Sequence, residues 1–184
     1  MKKLLILALL LPNIVYGEIH KEAQICGESG QICFMWWPKL PEVEGWEQEL
    51  GASYHYKMNT QVPTGHTFSD AQAVIYASAE LKDEETKKKT LEEFIAFSQN
   101  QFIAAAPSKT TISKVGEYTS KGKVKFLSYS FYPESAGNFE HVAYAEEVDK
   151  DGNDYFLIFV ISARSKEELE KRESEYYEFI KHYE

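Results

Sequence analysis

Apolar runs separated by turn residues recur along the chain and predict β-strands. Residues 155–162 (YFLIFVIS) form a continuous apolar run, which indicates a central strand that is buried on both faces. Residues 124–131 and 138–148 also have strand patterns, and residues 72–79 (QAVIYASA) predict an earlier strand. The Asp-Gly-Asn sequence at residues 151–153 predicts the turn of a hairpin between the last two strands.

Two capping-box sequences mark the predicted helices. Thr90 is followed three positions later by Glu93, and apolar residues then recur at helical spacing until Pro107 ends the run. Ser165 and Glu168 have the same spacing and predict the start of a final helix. The apolar positions on one face of this final helix are Leu169, Tyr176, Ile180 and Tyr183.

The N-terminal part of the chain has weaker patterns. We expect a strand over residues 29–37, a second extended segment over residues 46–57 and a loop over residues 59–70. The order of strands, helix, strands and helix predicts an α+β fold, with helices that flank a mostly antiparallel sheet. No repeat or linker divides residues 18–184, so the sequence predicts a single domain there.

Residues 1–17 (MKKLLILALLLPNIVYG) have the layout of a secretory signal peptide. Lys2 and Lys3 precede a short apolar run, and the small residue Gly17 offers a cleavage point. The run over residues 4–11 is much shorter than the roughly 20 residues of a membrane-spanning helix. We therefore expect an exported protein, periplasmic or secreted, that does not span a membrane.

Acidic residues outnumber basic ones by 29 to 20, so the net charge is −9. Without Lys2 and Lys3 the balance becomes 18 − 29 = −11. A surface of this sign repels phosphate backbones, so the sequence predicts no nucleic-acid binding. The charge favours a basic envelope protein or a cationic ligand as partner. No cofactor is predicted, because the chain has neither a phosphate-binding glycine loop nor an H-E-x-x-H zinc motif.

The two cysteines, Cys26 and Cys33, stand close together in CGESGQIC. In an exported protein this spacing predicts a structural disulfide. It differs from the C-x-x-C spacing of redox motifs, and the absence of adjacent histidines argues against a zinc site. The Gly-Glu-Ser-Gly stretch at residues 27–30 resembles part of a nucleophile elbow, but Gln31 occupies the position that requires glycine.

Histidines provide the candidates for catalysis or metal binding. His55 and His66 flank one loop, and Asp70 lies four positions after His66, a spacing that a small metal site could use. His141 alternates with apolar residues on a predicted strand, where a catalytic histidine would need an oriented partner. Because spacing alone supports these interpretations, we assign neither a catalytic residue nor a metal site from the sequence.

Aromatic residues are concentrated in the N-terminal part. The candidates for partner binding are Trp37, Trp46, Tyr54 and Tyr56, because tryptophan and tyrosine contribute strongly to protein interfaces. Packing of the same side chains beneath a helix is the alternative interpretation. Trp37 is out of phase with Trp36 and is therefore predicted to be exposed.

Several stretches of the chain together resemble the PsbP-like fold family. They are residues 38–46 (P-x-L-P-x-x-x-G-W), 68–80 (FSDAQAVIYASAE), 90–95 (TLEEFI), 140–147 (EHVAYAEE) and 155–163 (YFLIFVISA). This family includes the lumenal extrinsic protein of photosystem II, a eukaryotic Ran-binding relative and bacterial envelope proteins of the DcrB type. The resemblance implies an antiparallel sheet of about six strands flanked by helices, and a binding or assembly factor without a catalytic centre.

The leading hypothesis is a non-enzymatic binding or accessory protein of the cell envelope, exported to the periplasm or secreted. One alternative is an envelope hydrolase or metal-dependent enzyme that uses His55, His66 and Asp70, or His141. A second alternative is a secreted inhibitor whose acidic residues bind a basic enzyme. A contiguous apolar patch beside Trp37 and Tyr54 would favour the leading hypothesis.

Overall fold

The computed structural model describes residues 18–26 and 30–184. The predicted signal peptide, residues 1–17, lies outside the described residues, as do residues 27–29 of the Gly-Glu-Ser-Gly stretch. The described strands are β1 (Ile19–Cys26), β2 (Gln31–Pro38), β3 (Trp46–Gln48), β4 (Asn59–Pro63), β5 (Ala73–Leu81), β6 (Thr110–Thr119), β7 (Lys125–Pro133), β8 (Phe139–Val148) and β9 (Asp154–Ala163). The α-helices are α1 (Leu50–Tyr56), α2 (Leu91–Ala105) and α3 (Lys166–His182), and Thr86–Lys88 forms a 3-10 helix.

The strands form one antiparallel sheet in the order β1-β2-β5-β9-β8-β7-β6. Strand β4 also pairs with β5, and β3 pairs with β4. The predicted α+β class and antiparallel sheet are confirmed, but the predicted number of about six strands is wrong, since the described residues form nine. The difference lies mainly in the short or exposed strands of the N-terminal part, whose apolar periodicity is weak.

Strand β9 lies in the middle of the sheet between β5 and β8, as the apolar run over residues 155–162 predicts. Phe159 and Ile161 project toward α3 and are fully buried there with Tyr176 and Phe179. On the opposite face, Phe94 and Ile95 of α2 pack against Phe131, Val142 and Phe156. The sheet therefore has a hydrophobic core on each of its two faces.

The two predicted capping-box sequences lie at the starts of α2 and α3, and the first of them forms both bonds of a capping box, whereas the second forms one. The Thr90 hydroxyl accepts a hydrogen bond from the backbone N–H of Glu93, whose side chain accepts one from the backbone N–H of Thr90. The Ser165 hydroxyl likewise accepts from the backbone N–H of Glu168. These bonds satisfy N–H groups that have no partner inside the helix, which stabilises each helix start.

The structure corrects two predictions for the N-terminal part. The segment over residues 46–57 is not extended throughout, because it contains the short strand β3 and the seven-residue helix α1. The predicted loop over residues 59–70 begins with β4, which is buried at every position. Helix α1 and strand β4 are too short to show a clear period. Helix α1 contacts β4, and β4 pairs with β3 and β5, so their conformations depend on neighbours that are distant in sequence.

The hairpin turn at residues 149–154 joins β8 to β9, in agreement with the sequence prediction. One oxygen of the Asp149 carboxylate accepts hydrogen bonds from the backbone N–H groups of Asp151 and Asn153. The other accepts from the Asn153 amide and the Tyr155 hydroxyl. Despite the cost of burial, these bonds hold the pKa of Asp149 below its usual value, because they stabilise the charged form. The carboxylate therefore organises the turn.

None of the helices in the described residues is long and apolar enough to cross a membrane.

Candidate functional site

The hairpin of β1 and β2 presents an exposed apolar surface at one end of the sheet. Ala23 pairs with Phe34, and Ile25 pairs with Ile32, so these four residues lie on one face of the hairpin. We call this set the hairpin face. Ile25 is 74% exposed, Ile32 60% and Phe34 50%. Because directly opposite side chains in an antiparallel pair are close neighbours, the large apolar side chains of Ile25, Ile32 and Phe34 are exposed next to one another.

The hairpin face lies on the same side of the sheet as α3. Trp36, two residues beyond Phe34, pairs with Ala79 of β5 and packs against the core beneath α3. In the described residues, β2 pairs with β5 at Trp36 and Ala79 only. Farther out along the hairpin, none of the described β2 residues has a partner in β5. The outer half of the hairpin therefore extends past the core that would otherwise bury its apolar side chains.

Cys26 and Cys33 lie at disulfide distance at the outer end of this hairpin, as predicted, with their Cα atoms 5.8 Å apart. Cys26 is opposite Gln31, and Cys33 is opposite Gln24, so the cysteines lie diagonally on one face of the ladder, with the Ile25–Ile32 pair between their two pairs. Side chains alternate along a strand, so these cysteines lie on the opposite face from Ile25 and Phe34. A cross-link there holds the two strands together without covering the hairpin face.

The structure contradicts the prediction that Trp37 is exposed, since only 3% of its surface is accessible. The Trp37 ring packs 5.0 Å from the ring of Tyr54 on α1, measured between centroids. The Tyr54 hydroxyl donates a hydrogen bond to Glu22 of β1 at 3.0 Å. Because α1 covers the Trp37 side of the hairpin, the exposed apolar side chains are those of the other face.

The four aromatic candidates for partner binding do not form one surface. Trp46 is buried against Phe179 of α3, and its indole N–H donates to Glu175 at 2.9 Å. Tyr54 and Tyr56 on α1 are 37% and 44% exposed. The two tryptophans therefore pack in the interior, while the two tyrosines are accessible on α1.

The candidates for a metal site are only partly brought together. The His66 Nδ1 atom lies 3.3 Å from an Asp70 carboxylate oxygen. A backbone N–H bond from Thr67 and the contact with His66 keep the pKa of Asp70 below its usual value. His55 packs edge-on against Tyr56 instead. Among the described residues, no group of three His, Cys, Asp or Glu side chains is placed to hold a metal ion.

His141 is buried between β8 and α3, at 4% exposure. Its Nε2 atom is 3.2 Å from the Tyr132 hydroxyl, and its Nδ1 atom is 3.3 Å from a Glu173 carboxylate oxygen. Burial lowers the pKa of His141, although Glu173 partly opposes that effect. Together with Tyr177, whose hydroxyl lies 3.5 Å from Nδ1, these contacts fix the imidazole within an aromatic cluster. This geometry is that of a packing residue that joins helix to sheet.

Sequence reasoning missed two features, the hairpin face and the buried carboxylate of Glu140. Glu140 is 8% exposed and lies on the face of β8 that carries Val142 and Tyr144 toward α2. An acidic residue in phase with two apolar strand residues is the signal that could have identified it. The hairpin face had a partial signal, because Ile32, Phe34 and Trp36 alternate along the predicted strand over residues 29–37. Its other half was missed because β1 was not predicted as a strand.

No protein-family model and no curated protein sequence matches the chain. Solved structures do match it, and one of them is the Ran-binding protein Mog1p of Saccharomyces cerevisiae. That match has a TM-score of 0.40 and 11% sequence identity, and it covers 86% of this chain and 85% of Mog1p. A similarity of this size identifies neither a family nor a function for the chain.

Proposed function

We propose that this chain is an exported, non-enzymatic binding or accessory protein of the cell envelope, and that the hairpin face contacts its protein partner. The proposal rests on the exposure of Ile25, Ile32 and Phe34 as neighbours on one face. Exposed apolar surface costs roughly 25 cal/mol per Å² relative to its burial, so a partner that covers this face would gain binding free energy.

The charge of the chain supports a particular kind of partner. A net charge of −9 favours a protein that has basic residues around an apolar contact area. Aromatic and large aliphatic side chains would then form the centre of the interface, with charged groups at its rim. A basic envelope protein fits this description. The PsbP-like resemblance, with its binding and assembly factors, is consistent with the same role.

Affinity purification with matched variants tests the binding role. The chain and its Phe34→Ser variant are compared in envelope extracts of the cells that naturally make the protein. We expect the chain to recover one partner in a stoichiometric amount, and the variant to recover about tenfold less or lower still. Phe97→Ser is the matched control, because Phe97 is 48% exposed but lies on α2. Equal recovery with Phe34→Ser and the unchanged chain would contradict the proposal.

Export is tested separately by cell fractionation and intact mass. We expect the protein in the periplasmic or secreted fraction, with a mass that corresponds to residues 18–184. A chain that stays in the cytoplasm and keeps residues 1–17 would contradict export. That outcome would not bear on the binding role, which the affinity purification tests separately.

A further inference from the structure

A pocket of about 180 Å³ opens between the C-terminal end of α2 and the segment that joins β7 to β8. Its wall is mostly apolar and includes Phe102 of α2 together with Pro107 and Pro133. Glu140 also lines it and is the one ionisable side chain among the described lining residues. The pocket is smaller than the roughly 300–1,000 Å³ that drug-sized ligands occupy, so it would fit a small ligand.

The Glu140 carboxylate is held by neutral groups. The Tyr76 hydroxyl donates to its Oε1 atom at 3.5 Å, and Ser162, the residue opposite Glu140 on β9, helps to stabilise the charged form and so lowers its pKa. Burial raises the pKa of Glu140. Among the described residues, the groups that influence this pKa are neutral, and none of them is a positive charge. A buried carboxylate without a positive partner is costly, and a cation from solution would relieve that cost.

The polar side chains of the pocket present acceptors. The Asn138 amide N–H donates to the Ser162 hydroxyl at 2.9 Å, which leaves the Asn138 carbonyl oxygen as an acceptor. The Thr110 hydroxyl donates to the backbone carbonyl of Ser108 at 3.3 Å, which leaves its oxygen lone pairs. Together with Glu140, these groups suit a ligand that only donates hydrogen bonds.

The end of α2 adds negative potential to the same pocket. Ala105 is the last residue of α2, and both it and Phe102 line the pocket. The last carbonyl groups of a helix have no partner inside the helix, and they form the negative end of its dipole. The last turn of α2 has no basic residue to compensate them. This end of the helix therefore favours a positive charge.

We propose that this pocket binds a primary alkylammonium ion with a short carbon chain. The ammonium group donates to Glu140 and its neighbouring acceptors, because it has three donors and no acceptor. The carbon chain packs against Phe102 and the two prolines. This site is separate from the hairpin face, since it is formed by the end of α2 together with β6, β7 and β8. Its test does not depend on the proposed protein partner.

Isothermal titration of the purified chain with n-butylammonium chloride tests the proposal, and n-butanol serves as the neutral probe of similar shape. We expect saturable binding of butylammonium at neutral pH and binding of butanol that is about 10- to 100-fold weaker, because the bonds to a charged group are lost. Equal binding of the two probes, or no binding of butylammonium, would overturn the proposal.

Two pairs of variants locate the site. Glu140→Gln should weaken butylammonium binding by about 10- to 100-fold. Glu147→Gln, which alters a buried carboxylate on the other face of β8, should leave it unchanged. Ala105→Phe should fill the pocket and prevent binding, whereas Ala104→Phe on the same turn should not, because Ala104 does not line the pocket. The second pair keeps the test decisive if Glu140→Gln fails to fold. Binding that survives Ala105→Phe would overturn the proposal.

The same ammonium chemistry exists in free amines and in lysine side chains. A titration with Nα-acetyl-lysine methylamide distinguishes these sources. Tighter binding than butylammonium would assign the pocket to a lysine of a peptide, and weaker binding would assign it to a free amine.

Discussion

Phe34 and Phe159 are identical side chains on the same face of one sheet, yet their surroundings are opposite. Phe159 is completely buried, with its ring 5.1 Å from those of Phe126 and Tyr183, whereas Phe34 is 50% exposed. Helix α3 contacts β9, β5, β8 and β6, which leaves the outer part of the hairpin beyond its reach. The difference shows that, on this face of the sheet, position relative to α3 rather than residue type decides which strand residues form the core.

This contrast separates two roles for apolar residues in the chain. Burial near α3 contributes to the free energy of folding, since it removes apolar surface from water. Exposure on the hairpin leaves the same kind of surface available for another molecule. Substitutions in the two regions should therefore change different quantities.

The largest loss of stability is expected from Phe159→Ala. Removal of a fully buried ring leaves a cavity, so the free energy of unfolding should fall by about 3–5 kcal/mol. Urea unfolding followed by fluorescence measures this change. A loss below about 1 kcal/mol would mean that the Phe159 site can collapse around the missing ring, and the contrast with Phe34 would disappear.

An intermediate effect is expected when Cys26 and Cys33 are both replaced by serine. Loss of a cross-link around so short a loop should cost about 2.5 kcal/mol at most, since it releases conformational entropy mainly in the unfolded chain. Hydrogen exchange should increase at the amides of β1 and β2, while β9 remains protected. Equal loss of protection in β9 would show that the hairpin and the core unfold as one unit.

In the core, a smaller change in the free energy of unfolding is expected when the pH is lowered. Burial holds the pKa of His141 below its usual value of 6.5, so the unfolded chain binds the proton more readily than the folded chain. The contribution of His141 is therefore complete above pH 6.5 and declines as the pH falls through and below that value. His141→Phe should reduce the pH dependence of the unfolding free energy between pH 7.5 and about 5. An unchanged slope in that variant would place the titrating group elsewhere.

The smallest change in stability is expected from Phe34→Ala. Because the side chain is half exposed and lies outside the main core, the free energy of unfolding should change by no more than about 0.5 kcal/mol. Comparison with Phe159→Ala in the same urea series measures the contrast directly. A loss that approaches that of Phe159→Ala would mean that the hairpin face is structural, and this would remove its availability to a partner.

The core could be predicted from the sequence more readily than the hairpin. The run over residues 155–162 and the capping sequence at Thr90 are local signals, and both predicted the correct elements. Helix α1 and strand β4 were missed because they are short and their form depends on neighbouring strands. The direction of the Trp37 side chain could not be predicted without knowing that α1 covers one side of the hairpin.

The candidate sites show the same limit. The cysteine spacing predicted the cross-link, since only local chain geometry is involved. The pocket at Glu140 unites the end of α2 with the segment between β7 and β8, and the strand period alone does not reveal that arrangement. His55, His66 and Asp70 illustrate the converse, because closeness in sequence did not bring all three side chains together.

Photo-crosslinking in the cells that naturally make the protein tests the central claim most directly. A photoreactive phenylalanine analogue is placed at position 34 on the hairpin face, and at position 97 on α2 as the control with similar exposure. The account predicts one adduct of a discrete mass, containing an envelope protein, from position 34 and not from position 97. The same adduct from both positions, or from position 97 alone, would contradict the claim that the hairpin face is the binding surface.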